Sequence, residues 1–284
     1  MVFVIGIPAV VASAFVLPQA GFPIFALLVI AAAALGAWEL AAVFPGIMHY
    51  PGCVVVIPLI GAAAPTLTFV TGVLVGRPGA IDAALLALTV VVAMTALGVQ
   101  VARRRAKNFA DIVPIVGAHL LLFVYPGLLA SFALRLTALP SARALIIVFL
   151  LSAYLNDSAA WLCGRLFGRR SAGVAVSPNK SRVGFVGGFT ASIVVFAFGW
   201  HWAPAAFPFS FPAALAFGAI IGGGVILGDL VESALKRSAS LKDSGRMIPG
   251  RGGLLDSIDS PLYTAPLLYY GYLVMSTLST RSLG

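Results

Sequence analysis

Apolar runs dominate this chain. About nine of them, each near the roughly 20 residues needed to cross a bilayer core, fall at 2–17, 22–44, 53–76, 79–101, 109–133, 141–167, 184–206, 211–235 and 261–279. Composition agrees: 61% of the 284 residues are hydrophobic, only 10% are charged, and the mean hydropathy is +1.05. A soluble domain carries about a quarter charged residues, so these values exclude one. The fold class that follows is all-α, a polytopic integral membrane protein with about nine transmembrane helices. The opening run, Val2 to Leu17, has no basic residues before it and ends at Pro18, which reads as a retained helix and not a cleaved signal. Pro58 and Pro65 would let the run at 53–76 be broken or re-entrant. No soluble domain of useful size fits between the runs.

Charge is placed unevenly. Cations collect at Arg103, Arg104, Arg105 and Lys107, then at Arg165, Arg169, Arg170, Lys180 and Arg182, then at Lys236, Arg237, Lys242, Arg246 and Arg251. Two runs separate each cluster from the next, so all three share one face, which the positive-inside rule makes cytoplasmic. For "RRRAK" a topology signal is explanation enough. The other two clusters also contain acids, which a topology signal does not require: Asp157, Asp229, Glu232, Asp243, Asp256 and Asp259 are six of the chain's nine. The chain thus divides into residues 1–107, membrane helices with little motif content, and residues 108–284, a membrane region bearing the polar residues, with cytoplasmic loops at 165–183 and 236–260.

Spacing points these groups inward. In "GDLVESALKR", Asp229, Glu232, Ser233, Lys236 and Arg237 form one helical stripe on an otherwise apolar segment. Ionisable groups at membrane depth are costly and normally face a bundle interior or a water-filled cavity. Asn156 and Asp157 are embedded in a second apolar run, with Arg165 two turns on and roughly beneath Asp157. Asp256 and Asp259 share a face if "LLDSID" is helical. Carboxylates from separate segments beside Lys and Arg suit a hard cation together with phosphates. Internal salt bridges alone leave ten cations against six acids between 157 and 259. An anionic ligand absorbs that excess most simply.

Other features have plainer readings. Gly218, Gly222, Gly224 and Gly228 have the small-xxx-small spacing of close helix packing. Cys53 and Cys163 form neither a disulfide framework nor a zinc pattern. No P-loop or dinucleotide fingerprint occurs. "PGRGG", Pro249 to Gly253, cannot be a helix interior, and its bare backbone could approach a phosphate closely.

The stretch Ser233, Leu235, Lys236, Arg237, Lys242, Asp243, Gly245, Pro249, Arg251, Gly252, Gly253, Leu254, Asp256, Ser257, Ile258, Asp259 resembles, without a gap, the C-terminal signature of the phosphatidate cytidylyltransferases. "NDSAAWLCGRLFGRR" and "SPNKSRVGFVGG" resemble two further segments of that family, and the resemblance covers about residues 120–270. It departs from the pattern at three places: Arg251 stands where the family has His, Ser257 where it has Arg, and Val183 where it has Glu.

The resemblance implies transfer of a cytidylyl group from CTP to phosphatidate, giving CDP-diacylglycerol and pyrophosphate for phospholipid synthesis. It assigns Asp157, Asp229, Lys236, Arg237, Lys242, Asp243, Asp256 and Asp259 to catalysis, and Ser177, Pro178, Lys180, Ser233, Arg251, Gly252 and Gly253 to substrate binding. Asp157, Asp229 and Asp256 would hold Mg²⁺, alone or with a second cation. The implied partners are CTP, phosphatidate and membrane lipids, with a homodimer compatible and no nucleic acid. The implied location is multi-pass in a bacterial inner membrane. Two other readings stand beside it: a CTP-dependent polyprenol or lipid kinase of related fold, and a catalytically inactive paralogue.

Overall fold

The structure is a computed structural model that describes residues 12–13, 21–44, 47, 52–102, 109–248 and 252–281. Among these, helices carry the fold and no named strand forms. Isolated bridges pair Ser171 with Ser181 and Ile248 with Gly252. The helices are α1 (Pro23–Leu40), α2 (Cys53–Phe69), α3 (Ile81–Ala102), α4 (Ile112–Phe123), α5 (Leu129–Arg135), α6 (Ala142–Phe167), α7 (Arg182–Trp202), α8 (Phe211–Ser238) and α9 (Leu255–Arg281).

Among the described residues, seven helical stretches are long and apolar enough to cross a membrane: Pro23–Val43, Cys53–Leu74, Pro78–Val101, Phe109–Ala138, Ala142–Phe167, Arg182–Trp202 and Phe211–Ser238. They make this a multi-pass membrane protein. The ninefold count from sequence also included α9, whose 27 residues contain Asp256, Asp259, Pro261 and Pro266 and so fall short in apolarity. It included the run at 2–17 as well, which lies outside the described residues apart from Ala12 and Ser13.

The prolines bend the ladder without breaking it. α2 runs through Pro58 and Pro65 and continues as a wide turn over Val70–Leu74, so the segment is neither broken nor re-entrant. A similar wide turn at Val124–Leu128 carries Pro126 between α4 and α5. Pro lacks an N–H and crowds the preceding turn, and a π-type turn absorbs both defects. Here that turn buries Tyr125.

Two large apolar clusters hold most of the bundle, and a smaller third joins α2, α3 and α4 through Ala64, Ile81, Leu85 and Phe123. One of the large pair joins α5, α6, α7, α8 and α9 through Phe132, Phe149, Phe196, Phe217 and Leu268. The other joins α1, α2, α4 and α9 through Ala37, Leu40, Ile57, Leu122, Leu255 and Leu262. α9 is common to both, which ties the N-terminal helices to the C-terminal region. Small residues set the spacing. A Cβ on Gly61 would lie 2.4 Å from the Ala33 carbonyl oxygen, while Gly218 and Gly222 seat α8 on α7, and Gly224 and Gly228 seat it on α9. The glycine ladder of α8 therefore packs helices on two sides.

Candidate functional site

The C-terminal ends of α1, α6 and α8 and the N-terminal end of α9 meet at one end of the bundle, together with residues 168–181, 239–248 and 252–254. A polar tie joins two of these helices, α6 and α8, to α7. Asn156, 1% exposed, donates from Nδ2 to Ser192 Oγ at 2.8 Å and to the Gly222 carbonyl at 3.3 Å, joining α6, α7 and α8. Asn156 is thus structural. Its neighbour Asp157 is half-buried and lies within electrostatic reach of Lys180.

The loop after α6 delivers Lys180. It is closed by the Ser171 to Ser181 bridge, by the Ala172 N–H donating to the Lys180 carbonyl at 2.7 Å, and by Ser171 Oγ donating to the Pro178 carbonyl at 2.7 Å. Ser181 Oγ then caps α7 by accepting from the Gly184 N–H at 3.0 Å. Ser181 also packs on Gly168, where a Cβ would lie 2.8 Å from its hydroxyl, so the glycines of "CGRLFG" make room for this loop. Ser177 contributes a turn, its carbonyl accepting from the Lys180 N–H at 3.2 Å. The Lys180 ammonium contacts Asp229 on α8 and lies within electrostatic reach of Asp157, Asp259, Glu232 and Lys236. Burial lowers its pKa, and the Asp157 charge works against that.

The α8 stripe faces inward at Asp229, Glu232, Ser233 and Lys236, while Arg237 at its end is exposed. Glu232 is 1% exposed, and Lys236 sits between two carboxylates, 2.5 Å from Glu232 Oε2 and 2.5 Å from Asp256 Oδ1. Asp256 also accepts at Oδ2 from the Ser244 N–H (3.2 Å), Ser244 Oγ (3.0 Å) and the Gly253 N–H (2.6 Å). Gly252 has φ +104°, and a Cβ there would lie 2.5 Å from Asp256 Oδ2, so only glycine fits at that point. Asp259, three residues on, is buried and accepts from its neighbour's N–H at 2.7 Å. Beside it, Tyr125 Oη, Glu232 Oε1 and Ser257 Oγ are buried without hydrogen-bond partners.

Some residues singled out from sequence lie toward the rim. Arg237, Lys242 and Asp243 are exposed, Arg237 donating to the Leu241 carbonyl at 3.0 Å, and Pro178 is exposed on its turn. Ser233 is half-buried on α8. Arg165 lies two turns beyond Asp157 on α6. It is exposed and rests over the Trp161 ring, 5.2 Å from the centroid, because its stem and the indole share the outer face of α6. Val183 is exposed at the start of α7 and Ser257 is buried. Arg251, with Pro249 and Gly250, lies outside the described residues.

Sequence reasoning missed Glu39. It lies on α1, 6% exposed, and accepts from the Leu254 N–H at 2.9 Å, the Leu255 N–H at 2.7 Å and Ser244 Oγ at 3.4 Å. The signal was available: Glu39 is the first charge in the chain, set in an apolar run, and such a residue is a functional candidate by default.

Oxygen donors of this kind suit Mg²⁺ in chemistry. Among the described residues, however, no group of three or more His, Cys, Asp or Glu is placed to hold a metal. Asp229 pairs with Lys180, and Asp256 with Lys236. That arrangement is compatible with Mg²⁺, which commonly takes one or two carboxylates and completes its shell with water and substrate phosphates.

The sequence profile of the cytidylyltransferase family matches residues 1–275. The chain is 39% identical over 115 residues to the phosphatidate cytidylyltransferase of Bacillus subtilis, covering 40% of this chain and 42% of that protein. It is 33% identical over 174 residues to the protein of that name from Thermotoga maritima, covering 60% and 63%. It is also 41% identical over 149 residues to YnbB, an uncharacterized protein of Escherichia coli, covering 49% and 48%. The chain thus spans between 42% and 63% of the length of these relatives.

Proposed function

Because the chain belongs to the cytidylyltransferase family, we propose that it transfers the cytidylyl group of CTP to phosphatidate, releasing pyrophosphate and leaving CDP-diacylglycerol in a bacterial inner membrane. The observation that carries this reading is the meeting of Lys180, Lys236, Asp157, Asp229, Asp256 and Asp259 at one end of an apolar bundle. There a water-soluble nucleotide and a membrane-held phosphate can reach the same groups. The excess of Lys and Arg in the connections supports a cytoplasmic position for that end.

A phosphate oxygen of phosphatidate attacks the α-phosphorus of CTP. The new O–P bond forms as the bond to the β-phosphate oxygen breaks, and the electron pair leaves with pyrophosphate. A phosphate monoester, with a second pKa of about 6, is mostly ionised near neutral pH and needs little help from a base. Alignment and charge neutralisation are therefore the protein's main tasks. Lys236, fixed between Glu232 and Asp256, and Lys180, carried on its closed loop, supply positive charge at set positions. The exposed Arg237 and Lys242 meet the triphosphate from the water side, with Gly252 and Gly253 in the adjoining loop and Arg251, adjacent in sequence, as a further phosphate contact. Asp157, Asp229 and Asp256 would hold Mg²⁺, alone or with a second cation, and that ion would offset charge on the departing pyrophosphate. The acyl chains stay in the bilayer.

Purified protein in liposomes containing phosphatidate should release one pyrophosphate per CTP consumed, and only with Mg²⁺ present. Release of CDP instead would identify a kinase, and no turnover with any phosphatidate would identify an inactive paralogue.

A further inference from the structure

We propose that Glu39 is a positioning residue for this site, holding the first turn of α9 and the preceding loop so that Asp256 faces Lys236. The first amides of any helix lack intrahelical partners and carry the positive end of its dipole. In α9 and the residues just before it, three consecutive amides are taken by two carboxylates, one on α9 itself and one from α1. Gly253 donates to Asp256, while Leu254 and Leu255 donate to Glu39. The Ser244 hydroxyl lies 3.0 Å from Asp256 Oδ2 and 3.4 Å from Glu39 Oε2, so it joins the two carboxylates.

The loop is moulded to this carboxylate. A Cβ on Gly245 would lie 2.6 Å from Glu39 Oε1, and one on Gly253 would lie 2.5 Å from Glu39 Oε2 and 2.1 Å from Ser244 Oγ. Without Glu39, the Leu254 and Leu255 amides would be a ready anion site. They would compete for Asp256 or for a nucleotide phosphate. With Glu39 in place, Asp256 is free to offer Oδ1 to Lys236 at 2.5 Å, and phosphate is left to the lysines and arginines. The N-terminal helices, which lack motif content, thereby set the geometry of the C-terminal site.

The test uses the full chain carrying Glu39→Gln, reconstituted with phosphatidate and CTP. Only the kinetic measurement rests on the cytidylyltransferase reading. Gln keeps one acceptor oxygen and turns a donor toward an N–H, so amide exchange in the peptide spanning 252–258 should quicken about tenfold or more. The kcat should fall about tenfold or more, on the scale of losing a group that orders a charged site. The KM for CTP should stay within about threefold, because Glu39 touches no substrate. A purely structural residue would instead lower the thermal midpoint while kcat per folded molecule stayed at the parental value, and that result overturns the proposal. So do exchange and kcat both within twofold of the parent. Should the Gln variant not fold, Glu39→Asp retains charge but is one methylene shorter; it should quicken exchange and lower kcat, and parental values in both overturn the proposal. If the parent shows no turnover, the reaction reading fails, and the exchange measurement still decides what Glu39 holds.

Discussion

Asp256→Asn separates a catalytic carboxylate from a structural one. Asp256 accepts from Lys236 Nζ at Oδ1, and from the Ser244 N–H, Ser244 Oγ and the Gly253 N–H at Oδ2. Asn keeps one carbonyl oxygen. Set at the Oδ2 position, it preserves the Ser244 and Gly253 bonds and turns its NH₂ toward the Lys236 ammonium. The loss is then one charge-assisted hydrogen bond, about 1.5–3 kcal/mol. The lower half of that range applies, because Lys236 keeps Glu232 at 2.5 Å and is not left unpaired. Native proteins commonly hold about 5–15 kcal/mol, so the variant stays folded. Activity should nevertheless fall about a hundredfold, the scale for removing one charge-stabilising group from such a site. Initial rates in liposomes, normalised to monodisperse protein and read beside a thermal melt, give both numbers. More than half the parental kcat in folded Asp256→Asn would refute the assignment.

Asp229→Asn should lower turnover on a similar scale, since the amide gives up the charge paired with Lys180; unchanged turnover would remove it from the site. Asn156→Ala deletes the bonds to Ser192 and Gly222, and should cost about 1–3 kcal/mol in thermal unfolding with kcat per folded molecule unchanged. In a cysteine-free background, a single cysteine at Ser171 or Ser240 should react with an impermeant reagent only once the inner face is opened; labelling of intact cells would invert the topology. Arg251→Ala should weaken use of CTP by about 1.5–3 kcal/mol, and Arg251→His with Ser257→Arg should keep substantial activity. An unchanged KM for CTP in Arg251→Ala would show that this residue touches no phosphate.

Membrane class, most helix positions and the inward stripe of α8 were legible because they depend on local periodicity. Asp229, Glu232 and Lys236 lie one turn apart on an apolar helix, and nothing outside that helix is needed to see which way they face. Partnerships between distant segments were not legible. Lys180 reaches Asp229 only through a loop whose closure depends on Ser181 fitting against glycines of α6, and nothing in the spacing of "SPNKS" shows that fit. Arg165 lies two turns from Asp157, and the indole of Trp161, one turn before it on the same stripe, offers its face to the guanidinium. Glu39 was the largest omission. Its partners are backbone amides more than two hundred residues away in sequence, and no side-chain motif records them.

The central claim is that a nucleotide's cytidylyl group ends up on a membrane phosphate. Purified protein in phosphatidate liposomes, given CTP labelled separately in the cytosine ring and at the γ-phosphate, decides this directly. Ring label should enter the lipid phase and γ label should leave as pyrophosphate, with both lost in Asp256→Asn. Entry of γ label into lipid while ring label stays in solution would contradict the account.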